Sequence, residues 1–295
     1  MPYEQIMMFR MTFSFIKQKR GCLVLNAEPK NITEVKMSKG QENEGLYIVG
    51  GATSGFGNAV ARRLLSGGRY ILAVARNQQN LEALQNEYPG QVETISGDLT
   101  EFTVHDQILN QLGDRFLSGV FLNSGGPPAK SIQETEMDDW DEAYRTLLRW
   151  KVHLTKRLVP VMIRQKYGRI LFLESSSVKQ PIENLVLSTS LRLAVVGYAK
   201  TLSEEIAHHG ITVNILAPGY HDTQALNRLF QKKSRDQNIS TDEARSQMEH
   251  QTRVGFIGDP NHLGSIASWL LSGESDYITG QTISVDGGVI KGVFG

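Results

Sequence analysis

From Leu46 onward the chain alternates short apolar runs with amphipathic helical stretches, and few architectures accept that alternation. The strand candidates are Leu46–Val49, Tyr70–Val74, Val92–Ile95, Val120–Leu122, Arg169–Leu173, Thr212–Leu216 and Thr282–Val285. Helical patterns lie between them, the clearest near Ser188–His209, closed by Gly210 as a C-terminal stop. Buried strands separated by helices build right-handed βαβ units around a parallel sheet, because each crossover helix covers a sheet face. The expected fold class is therefore α/β, a Rossmann-type doubly wound parallel sheet in a single domain over residues 45–295. At 295 residues and 40% hydrophobic, the chain can bury a core of that size without splitting. Two more helical stretches, near Gln224–Lys233 and Thr241–Thr252, sit between the sixth strand and Asp259-Pro260. In this architecture such an insertion covers the carboxyl ends of the strands, where ligands bind.

The first strand runs into a glycine-rich turn and a helix start: Leu46-Tyr47-Ile48-Val49-Gly50-Gly51-Ala52-Thr53-Ser54-Gly55-Phe56-Gly57. Gly51 ends the strand at a sharp turn, where glycine can take the positive φ required. Gly55 and Gly57 let the backbone approach a pyrophosphate and let the helix near Phe56–Leu65 pack on the sheet. The free N–H groups and positive dipole end of that helix then face the phosphates. A dinucleotide is the ligand this turn suits.

Composition removes other classes. The 31 basic and 31 acidic residues cancel, so no global attraction draws the chain to nucleic acid or an anionic membrane. Cys22 is the only cysteine, which excludes an intrachain disulfide and a cysteine zinc cluster. That fits a reducing compartment and a cytoplasmic location, and no metal site is read. No apolar run approaches the roughly 18 residues of a membrane span. Residues 1–44 stand outside the alternating pattern and are expected to be poorly ordered. Within them, the basic, acid-free stretch Met7–Lys17 reads as a transit-like or membrane-surface segment, or as a dispensable tail ahead of a start near Met37.

The spacing Gly51-x-x-x-Gly55-x-Gly57 resembles the short-chain dehydrogenase/reductase family, whose TGxxxGxG threonine is Gly50 here. The resemblance runs from Leu46 to Gly288 and is of the 3-oxoacyl-[acyl-carrier-protein] reductase-like kind. It implies that Gly51, Ser54, Gly55, Phe56 and Gly57 hold the cofactor, with Asp98 and Leu99 of Gly97-Asp98-Leu99-Thr100 at the adenine. Asn123-Ser124-Gly125-Gly126 replaces the family's NNAG, keeping Asn123 and Gly125. Ile211-Thr212-Val213-Asn214 with Pro218-Gly219 is similar to ITVN…PG, and Thr223 falls where a threonine holds the nicotinamide carboxamide. Tyr277-Ile278-Thr279-Gly280 and Val285-Asp286-Gly287-Gly288 match the family's ending.

An acid at the end of the second strand favours NAD(H), because it accepts from a free ribose hydroxyl and repels a 2′-phosphate. This chain has Ala75-Arg76-Asn77 there. Arg76 offers a planar set of donors suited to phosphate. NADP(H) is the preferred cofactor, with NAD(H) as the second candidate.

The catalytic positions depart from the family. Ser175 falls at its serine, but Ser188 replaces the tyrosine, Arg192 the lysine and Leu147 the helix asparagine. A serine hydroxyl ends roughly 4 Å short of a tyrosine hydroxyl. Arg192 can bond a ribose but cannot shuttle protons. Tyr198 and Lys200 have the wrong spacing to substitute. Two enzyme readings follow. In one, a carbonyl is reduced with another proton donor, Lys179, Tyr220 or His221. In the other, hydride adds to a conjugated enone, and Ser175 and Lys179 stabilise the oxyanion. A third reading is a cofactor-binding sensor or scaffold without turnover. The expected partners are a small-molecule substrate, for which Arg228, Lys232 and Lys233 leave room for an anion, and a second copy of the chain. Family members pair through two long helices, here near Asp141–Lys166 and Ser188–His209, and through the last strand. Ala194, Val195, Val196 and Leu202 suggest spare apolar surface on the second helix, so a homodimer or homotetramer is expected.

Overall fold

The protein's structure, a computed structural model, describes residues 45–293. The N-terminal extension of residues 1–44, with its basic apolar stretch, lies outside the described residues.

Seven strands form one sheet: β1 (Leu46–Gly50), β2 (Tyr70–Ala75), β3 (Val92–Ser96), β4 (Leu117–Asn123), β5 (Gly168–Leu173), β6 (Ile211–Pro218) and β7 (Thr282–Val285). Their order is β3-β2-β1-β4-β5-β6-β7 and every pairing is parallel. Each strand expected from the apolar runs is present, and the fold is the doubly wound α/β class. Strand order reverses between β1 and β4, so the carboxyl ends of these two strands flank the crevice that such sheets use for ligands. β4 begins at Leu117 rather than Val120. Its first residues carry no apolar pattern, and β1 shifts register there, from Leu46 opposite Leu117 to Tyr47 opposite Gly119.

The helices are α1 (Gly55–Ser66), α2 (Gln78–Glu87), α3 (Phe102–Leu112), α4 (Met137–Tyr144), α5 (Trp150–Gln165), α6 (Val186–Ile206), α7 (Gln224–Gln237), α8 (Thr241–Glu249) and α9 (Pro260–Leu270). Alternate strand residues serve opposite layers, as the period of two requires. Ile48, Val120, Phe172 and Val213 pack with Ile108, Leu154 and Val195, from α3, α5 and α6. Tyr47, Phe121, Leu171 and Leu216 pack with Val60, Leu81 and Leu263, from α1, α2 and α9. The two insertion helices, α7 and α8, share a small cluster of Leu226, Phe230, Met248 and Ile257.

The helix expected over Asp141–Lys166 is interrupted. A π-helical turn, Arg145–Arg149, separates α4 from α5. Its wider winding shifts the phase of everything that follows. Thr146 Oγ1 donates to the Glu142 carbonyl at 2.7 Å, and Trp150 Nε1 donates to the Thr146 carbonyl at 2.8 Å. Leu147, Trp150 and Lys151 are all buried. Val195 and Leu202 also lie in the core, so the outer face of α6 offers Leu193 and Ala194, with Val196 half-buried.

Candidate active site

β1 is buried along its whole length and delivers the chain to Gly51, whose φ is 67° and whose N–H donates to the Val74 carbonyl at 2.8 Å. A Cβ on Gly57 would stand 2.1 Å from the Gly51 carbonyl oxygen, so α1 begins this close to the turn only because residue 57 is glycine. Asn58 braces the turn by donating from Nδ2 to the Ala52 carbonyl at 3.1 Å. Ser54 occupies the N-cap of α1 without a side-chain capping bond, and no acid stands in the first turn. The positive end of α1 is therefore available to an anion.

Other elements converge on this turn. Thr223 caps α7, accepting from the Leu226 N–H at 3.3 Å, and its methyl group lies 3.7 Å from where a Cβ on Gly55 would sit. Asn123, at the end of β4, places its side-chain nitrogen 2.8 Å from the corresponding point on Gly51. Pro218 ends β6, and Gly219 follows against Asp286. Phe56 meets the buried His221 ring edge-on at 5.1 Å, which ties the turn to the loop after β6.

Arg76 follows β2 with its side chain 82% exposed, and one guanidinium nitrogen stands 3.9 Å from Asp98 Oδ2. The Thr100 N–H donates to Asp98 Oδ1 at 2.9 Å. Burial pushes the Asp98 carboxyl up, but the Thr100 bonds, with Arg76 and Arg145, outweigh it and hold the group below its ordinary value. Leu99 offers its carbonyl to Nε2 of the buried His105 at 2.8 Å, and the other ring nitrogen of His105 lies 2.7 Å from His153 Nδ1.

The catalytic candidates stand after β5 and on α6. Ser175 caps a short turn, Ser176–Val178, and its hydroxyl oxygen accepts from the Ser177 N–H at 3.2 Å. That contact uses a lone pair and leaves the O–H to donate. Lys179 closes the same turn, half-buried. Ser188 and Arg192 lie one helical turn apart on α6 and both are buried. Arg192 donates from Nε to Ser188 Oγ at 3.0 Å, from Nη1 to Glu174 Oε2 at 3.0 Å, and from Nη2 to the Gly125 carbonyl at 3.1 Å. The other Glu174 oxygen accepts from Lys151 Nζ, on α5, at 2.5 Å. Burial pulls the Lys151 ammonium down to about 8, with Glu174 opposing and Arg192 reinforcing that effect.

Sequence reasoning singled out neither Lys151 nor Glu174. Both side chains are fully buried. Leu147, at the position of the family's asparagine, is buried one turn before Lys151.

The Tyr220 hydroxyl donates to Gln251 Oε1 at 2.9 Å, and its ring packs on the α7–α8 cluster. Burial raises the Tyr220 phenol and lowers the His221 imidazole. Tyr198 shares a 2.6 Å hydrogen bond with Thr155, and Lys200 is exposed. On α7, Arg228 is exposed and Lys232 and Lys233 are half-buried. Among the described residues, no group of three His, Cys, Asp or Glu side chains is placed to hold a metal ion. No helix among them is long and apolar enough to cross a membrane.

Known proteins share this fold. The family model described as enoyl-(acyl carrier protein) reductase matches residues 51–290. The 3-oxoacyl-[acyl-carrier-protein] reductase FabG of Haemophilus influenzae is 27% identical over 248 residues, covering 83% of this chain and 97% of that protein. NADPH-dependent reductase BacG of Bacillus subtilis is 26% identical over 255 residues, covering 83% and 98%. Among solved structures, YwfH, an NADPH-dependent reductase involved in bacilysin biosynthesis, superposes with a TM-score of 0.80 at 24% identity, covering 85% of this chain and 100% of that one. An actinorhodin polyketide ketoreductase with NADPH gives 0.78 at 24% identity, covering 84% and 98%. At that identity the structural likeness establishes the fold, while the family model spans most of the chain. The chain belongs to the short-chain dehydrogenase/reductase family.

Proposed function

We propose that the protein is an NADPH-dependent oxidoreductase that reduces a small molecule, with a conjugated alkene better matched to the site than an isolated carbonyl. The observation that carries this reading is a convergence. The Gly51–Gly57 turn, Asn123 and Thr223 close on one space, beside Ser175 and a buried cluster of two cations and one anion. The cradle suits a dinucleotide, since its closest approach admits no side chain at Gly57 and the α1 terminus lacks a capping group. NADPH supplies a hydride when bound. Gly51, Ser54, Gly55, Phe56 and Gly57 would hold the pyrophosphate, Asp98 and Leu99 the adenine, and Asn123, Gly125, Pro218, Gly219 and Thr223 the nicotinamide half. Arg192 would face the nicotinamide ribose past Gly125.

Preference for NADPH follows from Arg76 and from the missing acid at Ala75. Relatives described as NADPH-dependent support it. The unaltered protein should bind NADPH more tightly than NADH. Ala75→Asp should reverse that order by repelling the 2′-phosphate, as titrations of both cofactors against both proteins would show. Equal dissociation constants in the unaltered protein would refute the assignment.

The preference for a conjugated alkene comes from the lost tyrosine. The Ser188 hydroxyl is short and buried beside Arg192, and it ends roughly 4 Å short of where a tyrosine would present its acid to a carbonyl oxygen. Conjugate addition leaves an enolate, which takes its proton at carbon from water and needs mainly an oxyanion partner. Ser175 has a free O–H for that task, and Lys179 stands on the same turn. Steady NADPH oxidation across a panel of ketones and enones tests the reading, with turnover of enones expected. Tight cofactor binding without turnover across the panel would favour a sensor or scaffold instead.

We also propose self-association. Leu193 is 44% exposed on the outer face of α6, beside Ala194, and β7 is a sheet edge. Light scattering at micromolar concentration should give a dimer or tetramer mass, and a monomer mass would refute it.

A further inference from the structure

We infer that Lys151 is a positioning residue for this site: through Glu174 it fixes Arg192, and it gives the buried cluster one surplus positive charge next to Gly125 and Ser175. The inference rests on the cofactor reading above. Glu174 is sandwiched between Lys151 Nζ at 2.5 Å and Arg192 Nη1 at 3.0 Å, and all three side chains are buried. One cation is enough to neutralise Glu174, and Arg192 already does so. A second buried cation costs desolvation without a second anion to offset it. Lys151 is therefore a poor device for stability alone, and its surplus charge stands where a polyanionic cofactor and a forming oxyanion would benefit from it.

The arrangement also makes that charge adjustable. Of the three charged groups, Lys151 is the one that burial brings toward neutral pH. The groups facing its Nζ are Glu174 from the end of β5 and Arg192 from α6, while Tyr198 of α6 is tied to Thr155 one turn along. On its own helix the Trp150 ring lies 5.9 Å away, and His105 of α3 lies beyond that ring. Burial lowers the Lys151 ammonium to about 8, so the surplus charge is present below that pH and lost above it. The affinity for NADPH should follow, strong at lower pH and weakening as pH rises through about 8.

Lys151→Met separates this role from a structural one. The variant keeps a paired Glu174–Arg192 unit and removes the surplus cation, so its Tm near neutral pH should equal or exceed that of the unaltered protein. Its NADPH dissociation constant should rise about tenfold there, the order expected for one charge acting over roughly 10 Å in a medium of effective dielectric about 20. The two proteins should converge at alkaline pH, because the variant has lost the pH dependence. A lower Tm with the pH profile of binding unchanged would show that Lys151 is only a structural partner and overturn the inference alone. No NADPH binding by the unaltered protein at any pH would overturn the cofactor reading and the inference together.

Discussion

Glu174→Gln should destabilise the fold by about 3–5 kcal/mol, the cost of leaving buried charge without its partner. The substitution preserves shape and removes the one anion between Lys151 and Arg192. Arg192 cannot lose its proton, so Lys151 must give up its own or face a second cation in the core. The pH dependence has a definite sign. In the unaltered protein Lys151 titrates near 8, against 10.5 for an ordinary lysine. Between those values the unfolded chain binds the extra proton, so the lysine's contribution to stability rises with pH. Removing Glu174 lowers the lysine further and widens that window downward. The deficit should therefore be largest at low pH and shrink toward alkaline pH. Urea midpoints at several pH values measure it. A uniform deficit, or none, would contradict the charge arithmetic.

The second large effect is on turnover. Ser175→Ala should lower kcat about a hundredfold or more, as losing an oxyanion donor usually does. NADPH affinity should change little, because the hydroxyl acts only as charge develops on the substrate. The Ser177 N–H, which bonds the Ser175 oxygen at 3.2 Å, orients the group without using its proton. Ser188→Ala should change turnover far less, since that hydroxyl, held by Arg192 Nε at 3.0 Å, ends too short to reach a reacting oxygen where a tyrosine would. The reverse ranking, with Ser188 essential and Ser175 dispensable, would refute the roles given to both.

The sheet was legible because burial of both faces leaves continuous apolar runs, and Leu46, Ile48 and Val49 announce β1 without help from elsewhere. The glycine turn was legible for a local reason too, since the steric limit at Gly57 concerns its neighbour Gly51. The buried cluster was not. Lys151, Glu174 and Arg192 come from α5, the end of β5 and α6, and only tertiary packing brings them together. Signals existed nonetheless. Lys151 falls within the helical stripe of Leu147, Trp150, Leu154 and Leu158, and Glu174 directly follows the buried run Leu171-Phe172-Leu173. The charge of Lys151 hid the first signal, because a lysine on such a stripe ordinarily carries its ammonium out to solvent. Sequence spacing likewise placed Val195 and Leu202 on a spare apolar face, whereas the packing of α6 takes both into the core.

The most direct test of the account uses NADPH deuterated at the transferring position, with an enone that the protein turns over. The account predicts deuterium on the β-carbon of a saturated ketone product, with the carbonyl intact. Deuterium on the carbonyl carbon of an allylic alcohol, or tight NADPH binding without any transfer to substrate, would contradict it.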